Sequence, residues 1–555
     1  MPPIAVLLVV SLLVIYFGII GCSNNNNNPS VEPTTAKPTA GTSCISLSTN
    51  QLQHSYDPVK VTWHQPVNDG DTIEFRLNDT SGPFLASAFR ILVASLNNTD
   101  NEYEIRPVNP RGGGYIVTYV KSDGNELCST HLTFAQGDDE PNQAHITVVG
   151  EDQLQVNWVS ASSQPGEVLY QTVDGTNWIS HKETTNPRTY KGSDMCFFLA
   201  ENIGFRNPGF FHSVTLPNFP FGSRLQIRND GSESRQFRPH PRILPGDAAR
   251  HSVALFGDLG VTGSSISGGA RGFGTMEFPP VYASHPLDHV RDNDRIRLAI
   301  LYGDVAYSGG YGIVWDQFGA EMEDGFAMRT PFAASVGNHE YCSTGNPKGW
   351  YPEWGNYNSL DSGGECGVPF SHRYHRGDGI NQDYWFSFNF GLVHYVMLST
   401  EHNYLNGSDQ NEWLDKDLSE VDRSKTPWII VIGHRPMYYS CQTAGQPDGE
   451  IAAHLASDVG PLLMKYDVDV YATGHVHHYE RTSAINGTVH VLSGSMRFME
   501  GSCSRSDLPW LKVVLETYGY VELDVINSTL LNFTYWGYND TLGSIEVQDT
   551  FVVSK

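Results

Sequence analysis

Short runs in which apolar and polar residues alternate fill the first part of the chain. Val61-Thr-Trp-His64 and Tyr115-Ile-Val-Thr-Tyr-Val120 lie between turn-forming clusters, and Ala144–Val149 and Gln153–Trp158 repeat the pattern after Glu140-Pro141. A period of two residues is typical of strands that bury one face. The pattern therefore predicts two successive β-sandwich domains.

The pattern changes after Pro245-Gly246, where apolar runs alternate with longer, partly helical segments. Such runs are typical of strands buried on both faces in an α/β domain. Five of the runs end in a glycine that is followed by residues able to bind a metal ion. These residues are Asp258, Asp304 with Tyr307, Asn338 with His339, His434, and His475 with His477.

A single Gly-Asp pair is usually a turn, and a single histidine at a strand end is usually a surface group. Five such turns in one α/β domain are a different case, because the carboxyl ends of its strands can line one crevice. Carboxylates, a phenol, an amide oxygen and imidazoles suit iron, manganese or zinc better than calcium. The sequence therefore predicts a transition-metal site in this domain.

The order of these motifs resembles that of the purple acid phosphatases within the calcineurin-like metallophosphoesterases. Two further stretches, Asp361-Ser-Gly-Gly-Glu-Cys-Gly-Val368 and Gly474 to Thr482, look like the large plant-type nucleotide pyrophosphatase/phosphodiesterase members. The resemblance implies an α/β metallophosphoesterase sandwich, with two mixed β-sheets flanked by helices. It also implies preceding β-sandwich domains, one of them fibronectin type III-like.

The resemblance implies a binuclear centre with a ligand set for each metal. The expected ligands of an Fe(III) ion are Asp258, Asp304, Tyr307 and His477. The expected ligands of a divalent Zn, Mn or Fe ion are Asp304, Asn338, His434 and His475. Asp304 would then bridge the two ions, while the phenolate and carboxylates would favour the trivalent ion.

His339, beside the ligand Asn338, is the expected catalytic residue that contacts the phosphoryl group or protonates the leaving group. The alternative is that it only orients the ligands. Between His434 and His454 the chain lacks the histidines of smaller plant purple acid phosphatases. Three residues after this motif would either line the substrate pocket or pack in the core: Arg435, Tyr438 and Tyr439. Structural hydrogen-bonding roles are expected for His478, Glu480 and Arg481.

The leading hypothesis is a secreted acid phosphatase that hydrolyses phosphate monoesters by attack of a metal-bound hydroxide. One alternative is a nucleotide pyrophosphatase/phosphodiesterase that uses the same site. A catalytically silent extracellular binding protein is the other, and an intact ligand set argues against it. The expected partner is a small phosphorylated substrate, and the sequence leaves the oligomeric state open.

The chain of 555 residues is too long for one compact core, and its net charge of −26 argues against a nucleic acid polymer as partner. The expected segments are a signal peptide (1–22), a flexible linker (23–43), an N-terminal β-sandwich (44–138), a fibronectin type III-like domain (139–246), a metallophosphoesterase domain (247–500) and its C-terminal segment (501–555).

Ile4 to Gly21 is an apolar run that predicts a cleaved secretory signal, with no stable membrane partner afterwards. The alternatives are a short membrane anchor or lipidation of Cys22. Seven Asn-x-Ser/Thr sequons fit a secreted glycoprotein. They begin at Asn78, Asn97, Asn406, Asn486, Asn527, Asn532 and Asn539.

An oxidising compartment predicts disulfides, although their connectivity cannot be deduced from sequence. We expect Cys44 to pair with Cys128, Cys342 with Cys366 and Cys441 with Cys503, leaving Cys196 as a buried free thiol.

Overall fold

The computed structural model describes residues 44–78, 89–93, 101–150, 153–220, 222–240, 243–261, 285–341, 361–376, 384–442, 446–497, 499 and 508–555. The expected signal peptide, linker and first apolar run lie outside these residues. Among the described residues, no helix is long and apolar enough to cross a membrane.

The first domain is a β-sandwich, as the sequence predicts. One sheet has the order β1 (Ile45–Leu47), β3 (Val59–Trp63) and β6 (Glu102–Ile105). The other has the order β2 (Gln51–Leu52), β8 (Glu126–Phe134), β7 (Tyr115–Val120), β4 (Thr72–Leu77) and β5 (Phe89–Leu92). The predicted disulfide between Cys44 and Cys128 is confirmed and joins the two sheets.

The second domain is also a sandwich, with three strands facing four in the arrangement of a fibronectin type III domain. The three-stranded sheet is β13 (Phe210–Pro217), β10 (Gln153–Ser160) and β9 (Asn142–Val149). The four-stranded sheet is β12 (Ile179–Lys182), β11 (Glu167–Gln171), β14 (Arg224–Asn229) and β15 (Ser232–Glu233). Between β12 and β13 the chain forms a 3₁₀ turn at Gly192–Asp194 and a π-helical turn at Leu199–Ile203.

The third domain stacks two mixed sheets whose facing sides form one apolar core. The first sheet is β18 (Phe332–Ser335), β17 (Ile296–Tyr302), β16 (His251–Phe256), β26 (Gly519–Asn527), β27 (Leu530–Asn539) and β28 (Ser544–Ser554). The second is β19 (Phe386–Phe390), β20 (Val393–Met397), β21 (Trp428–Ile432), β22 (Val470–Thr473), β24 (Val489–Ser493), β23 (Tyr479–Thr482) and β25 (Leu511–Leu515).

Helices cover the outer faces of both sheets. They are α1 (His285–Asp292), α2 (Gly312–Met322), α3 (Asn338–Tyr341), α4 (Val368–Arg373), α5 (Asp409–Ser419), α6 (Pro447–His454) and α7 (Gly460–Lys465), with π-helical turns at Glu323–Ala327 and Leu455–Val459. Trp315 and Phe318 of α2 pack toward the first sheet, and Leu414 and Leu418 of α5 toward the second. The predicted fold class is confirmed.

The predicted pairing of Cys342 with Cys366 is wrong, as is the assignment of Cys196 as a free thiol. Cys196 of the second domain forms a disulfide with Cys366 of the third, across 170 residues of sequence. The segment that carries Cys196 packs along 363–364, where Cys196 N donates to Gly364 O at 2.9 Å. The two cysteines lie close together because the second domain packs against the third. Their separation along the sequence gives no sign of this contact. Cys441 is disulfide-bonded, but its predicted partner Cys503, like Cys342, lies outside the described residues.

Candidate metal centre

All five predicted glycine turns follow the carboxyl ends of parallel strands and meet at one end of the stacked sheets. They follow β16, β17 and β18 in the first sheet and β21 and β22 in the second. Backbone hydrogen bonds tie neighbouring turns together, since Asp258 N donates to Gly303 O at 3.2 Å and Gly474 N to His434 O at 2.9 Å. The five turns therefore converge at one site, as expected for turns at the carboxyl ends of the strands.

One group of donors surrounds the phenol of Tyr307. Its Oη donates to Asp258 Oδ1 at 3.1 Å and lies 3.0 Å from His477 Nε2. His477 Nε2 is in turn 3.3 Å from Asp258 Oδ1. Ligand atoms of Asp258, Asp304 and His477 all lie within 4.8 Å of one another, which is close enough to share one ion.

A second group surrounds the amide oxygen of Asn338. Asn338 Oδ1 lies 3.0 Å from both His434 Nε2 and His475 Nδ1. His434 Nε2 is also 3.3 Å from Asp304 Oδ1. Atoms of Asp304, His434 and His475 again lie within 4.8 Å of one another. Asp304 thus belongs to both groups, as a bridging ligand must.

Four of these residues adopt left-handed backbone conformations that non-glycine residues rarely occupy. Their φ angles are 59° at Asp258, 50° at Asp304, 51° at Tyr307 and 70° at His475. Because each residue follows a buried strand, this turn of the backbone redirects its side chain into the shared crevice. Backbone strain of this kind concentrates at functional sites.

Two glycines allow the ligand carboxylates to approach the neighbouring turns closely. A Cβ at Gly337 would overlap Asp304 Oδ1, and one at Gly474 would overlap Asp258 Oδ2. These two positions require glycine because a side chain would not fit. Backbone conformation is not the reason, since both φ angles lie outside the left-handed region.

The charged groups of the site favour the binding of cations. Burial alone would raise the pKa of Asp304, but the charges of His434 and His339 hold it well below its usual range. Burial opposes charge on His434 as well, yet the carboxylates of Asp304 and Asp258 raise its pKa to about 10. Burial and Asp258 raise the pKa of Tyr307 well above its ordinary value. The protein alone therefore holds Tyr307 as a phenol, and ionising it requires a nearby cation.

His339 lies at the edge of the cluster. Its ring packs against Tyr307 with 4.2 Å between ring centroids, and its Nε2 is 3.9 Å from Asp304 Oδ2. Its backbone N–H donates to Asp304 Oδ1 at 2.9 Å. The side chain is 24% exposed, against 14% for His477 and 12% for His475. Of these three imidazoles, His339 is thus the most accessible to an arriving substrate.

Several residues that support the ligands were not predicted from the sequence. Asp361 accepts a hydrogen bond from Asn338 Nδ2 at 3.0 Å, and Asp448 lies 3.0 Å from His475 Nε2. Glu340 accepts the backbone N–H groups of Val305 and Gly337 and so joins two ligand turns. Asp361 lies in a stretch of sequence that resembles the plant-type members, and this resemblance was the feature of the sequence that could have indicated its role. Asp448 lies outside every motif.

Among the residues beyond the ligands, Arg435 contacts a ligand, since its Nη1 lies 3.0 Å from His475 Nε2, whereas Tyr438 and Tyr439 pack against other residues. Arg435 is buried, with Nε donating to Glu401 at 2.6 Å and Nη1 to Asp448 at 2.7 Å. Tyr439 is buried, and Tyr438 packs on His490 with 4.8 Å between ring centroids. As predicted, His478 pairs with Glu480 and Arg481 with Asp549.

Most sequons lie on the surface of the described residues. Asn78, Asn406, Asn486 and Asn527 are exposed, whereas Asn532 and Asn539 are partly buried. Asn97 lies outside the described residues, and glycosylation at all seven positions remains a prediction.

The fold and the donor set are those of a metallophosphoesterase domain, and comparison with known proteins agrees. Residues 251–479 match the calcineurin-like phosphoesterase family. The chain is 30% identical over 399 residues to the Arabidopsis thaliana protein named "Probable inactive purple acid phosphatase 1", covering 66% of this chain and 61% of that protein. It is 29% identical over 412 residues to Arabidopsis thaliana "Purple acid phosphatase 18", covering 72% and 82%.

A barley (Hordeum vulgare) protein named "Nucleotide pyrophosphatase/phosphodiesterase" is 27% identical over 337 residues, covering 58% of this chain and 86% of that protein. The solved structure of purple acid phosphatase PPD1 from yellow lupin superposes with a TM-score of 0.75 at 23% identity, covering 92% of this chain and 95% of the lupin chain. The chain therefore carries a calcineurin-like metallophosphoesterase domain and has purple acid phosphatase homologues, which confirms the resemblance of its motifs.

Proposed function

We propose that this protein is a secreted acid phosphatase that hydrolyses small phosphate monoesters at a dinuclear metal centre. The observation that carries the proposal is the meeting of all seven predicted donors in two groups that share Asp304. Several relatives are named inactive, but the ligand set in this chain is complete. The proposal therefore rests on the residues present here.

The two groups differ in the ions that they suit. Asp258, Asp304, Tyr307 and His477 would hold Fe(III), because a trivalent ion favours phenolate and carboxylate oxygens. Asp304, Asn338, His434 and His475 would hold a divalent Zn, Mn or Fe ion. When bound, the pair would supply Lewis acidity toward a phosphoryl oxygen and acidify a water molecule.

The chain's own residues would orient the substrate and move the proton. His339 is close enough to Asp304 to lie beside a phosphoryl group held at the cluster, and its partly exposed ring can protonate the leaving oxygen. Asp361 fixes the Asn338 amide so that its oxygen faces His434 and His475. The buried cations would also give a small phosphorylated substrate a positive pocket in a chain of net charge −26.

The test is metal analysis of the purified protein together with a phosphomonoester assay from pH 4 to 8. We expect about two metal ions per chain, one of them iron, and activity that is lost on chelation and restored by metal. His434→Ala should lose the divalent ion and activity together, whereas Arg250→Gln, a surface substitution, should change neither. Full metal occupancy without hydrolysis of any phosphate ester would favour the silent binding protein.

A diesterase or pyrophosphatase activity is the second candidate, favoured by the barley homologue and its name. The same cluster can serve either reaction, because the leaving group differs and the phosphoryl site does not. Parallel kcat/KM measurements on a phosphomonoester, a phosphodiester and a dinucleoside pyrophosphate separate the two. A preference for the latter two substrates of tenfold or more would replace the monoesterase proposal.

Secretion is supported by disulfides, which persist in oxidising compartments. N-terminal sequencing of the mature protein tests this part. A start near residue 23 supports cleavage of the signal, whereas an intact first apolar run would favour membrane anchoring.

A further inference from the structure

The second domain holds a loop of the third domain, residues 361–367, in place. Its Cys196 is joined to Cys366 of this loop by a disulfide. Cys196 N also donates to Gly364 O at 2.9 Å, and Ala200 N donates to a second carbonyl of the loop at 3.1 Å. One covalent bond and two backbone hydrogen bonds therefore fix the 361–367 loop to the second domain.

Both carboxylates of the 361–367 loop reach the turns that carry the metal ligands. Asp361 accepts the hydrogen bond from Asn338 Nδ2 described above. Glu365 Oε1 accepts a hydrogen bond from Ser308 Oγ at 2.6 Å, and Ser308 directly follows Tyr307 in the chain. The loop thus contacts one ligand directly and the backbone of another through a single residue.

Glu365 is held in one orientation by its own contacts. Its second carboxylate oxygen, Oε2, accepts the indole N–H of Trp315 in α2 at 2.9 Å. Glu365 and Ser308 are each 1% exposed, and Trp315 is fully buried. Turning the carboxylate away would leave buried donors unpaired, which is destabilising. Glu365 therefore links the turn after Tyr307 to helix α2 and to the 361–367 loop.

The loop and the turn after Tyr307 also touch through their backbones. A Cβ on Gly363 would overlap Gly309 O, so no side chain fits between the two segments. Tyr307 itself has a φ angle of 51°, a conformation that persists where the surrounding structure enforces it. The 361–367 loop is thus part of what directs the Tyr307 phenol into the metal cluster.

We propose that Glu365 is a positioning residue for Tyr307, and that the Cys196–Cys366 disulfide, by fixing the loop, sets how slowly the centre releases its metal ions. The second domain then serves the metal centre without supplying a ligand. This inference rests on the dinuclear centre of the proposed function. Breaking the disulfide would leave every ligand in place but loosen the contacts that orient Asn338 and Tyr307.

The first experiment measures the loss of iron and of the divalent ion from metal-loaded, full-length protein after addition of excess EDTA. Cys196→Ser/Cys366→Ser should release metal about tenfold faster than the wild type, a typical effect of losing an outer contact of a metal site. Because Cys196 is exposed, serine leaves no cavity there. Rates are compared at a temperature at which circular dichroism shows every variant to be folded.

Cys44→Ser/Cys128→Ser is the matched control, since it removes a disulfide of the first domain. It should release metal at the wild-type rate. Wild-type release from Cys196→Ser/Cys366→Ser would overturn the role of the disulfide. Equally fast release from both double variants would also overturn it, because the effect would then reflect a general loss of stability.

The second experiment tests Glu365 through the visible absorption of iron-loaded protein. Glu365→Ala should shift the band expected from the Tyr307 phenolate and release metal faster. Glu365→Gln can still accept the Trp315 N–H and donate to Ser308 Oγ, so it should restore both properties. Glu420→Ala, at a side chain that is 66% exposed, is the control.

An unshifted band in folded Glu365→Ala would overturn its positioning role. Should Glu365→Ala fail to fold, Ser308→Ala removes the same hydrogen bond and is judged by the same band. Both experiments are made without substrate. Failure to hydrolyse any phosphate ester would therefore overturn the proposed function and leave the release rates interpretable, whereas equal release rates in an active enzyme would overturn this inference alone.

Discussion

Asn338 donates its side-chain Nδ2 to Asp361 Oδ2 at 3.0 Å, while its Oδ1 lies 3.0 Å from the nearest nitrogens of both His434 and His475. The Asp361 carboxylate can only accept, so it fixes which end of the Asn338 amide faces the cluster. One carboxylate outside the ligand set thereby determines the orientation of a ligand.

Asp361→Ala should weaken binding of the divalent ion without removing a ligand. Loss of such a supporting contact typically lowers metal affinity or activity by about 10–100-fold. Titration of metal-depleted protein with Zn²⁺ or Mn²⁺, followed by activity, measures the shift. Asp540→Ala, an exposed substitution, is the control. Unchanged metal affinity in Asp361→Ala would show that the Asn338 amide is oriented by other contacts.

His339→Ala should retain both metals and lower kcat by about 10²–10⁴-fold, as expected for a removed general acid. The loss should be greater for alkyl phosphates than for nitrophenyl phosphate, because poor leaving groups need the proton more. Metal content and kcat for both esters check this. Loss of a metal, or the same fractional loss for both esters, would instead assign His339 to support of the ligands.

Tyr307→Phe should abolish the visible charge-transfer absorption expected from a phenolate bound to Fe(III). The phenol is held protonated by burial and by Asp258 until a cation displaces the proton. An absorption spectrum of iron-loaded wild type and variant decides the matter. A colourless wild type with bound iron contradicts the assignment of Tyr307 but leaves the other ligands in place.

Glu323→Gln should stabilise the protein above about pH 5. Glu323 accepts Ala144 N–H at 2.9 Å, and burial raises the pKa of its carboxyl to about 8 from an ordinary value near 4.5. Between these values the folded state keeps a proton that the unfolded chain has lost. The free energy of unfolding therefore falls by up to about 1.4 kcal/mol per pH unit as pH rises.

Glutamine keeps an oxygen acceptor and cannot ionise, so the Tm difference between variant and wild type should grow from pH 4.5 to 8. Glu420→Gln, whose side chain is 66% exposed, serves as the control. A difference that is constant with pH would contradict the role of Glu323 ionisation.

Replacing Cys196 and Cys366 together by serine should lower the free energy of unfolding by about 2–4 kcal/mol, the usual contribution of a disulfide. Chemical denaturation measures this loss, and non-reducing peptide mapping of the wild type should recover the two cysteines in one linked pair. Recovery of Cys366 linked to Cys342 would contradict the structure.

The sequence allowed the strands and the ligand turns of the third domain to be predicted because both are local features. A buried run followed by Gly257-Asp258 or Gly303-Asp304 carries its own signal, and parallel strands then bring the turns together. Binary patterning likewise predicted the two sandwiches.

The remaining features depend on how distant segments pack. Cys196 and Cys366 meet because the second domain packs on the loop at 361–367. The Asp316 carboxylate is likewise approached by arginines from all three domains, Arg111, Arg206 and Arg373. Asp448 reaches His475 from helix α6 without any motif around it. No local pattern encodes these contacts, so sequence reasoning could not find them.

The left-handed backbone at Asp258, Asp304, Tyr307 and His475 has an evolutionary consequence. Each such conformation is destabilising by about 1–3 kcal/mol for a residue with a side chain, whereas glycine adopts it readily. In a chain that no longer bound metal, glycine at Asp258 or Asp304 would relieve this strain, whereas glycine at the buried Tyr307 would leave a destabilising cavity. This chain carries two aspartates, a tyrosine and a histidine at the four positions, so its donor set is retained in spite of the strained backbone.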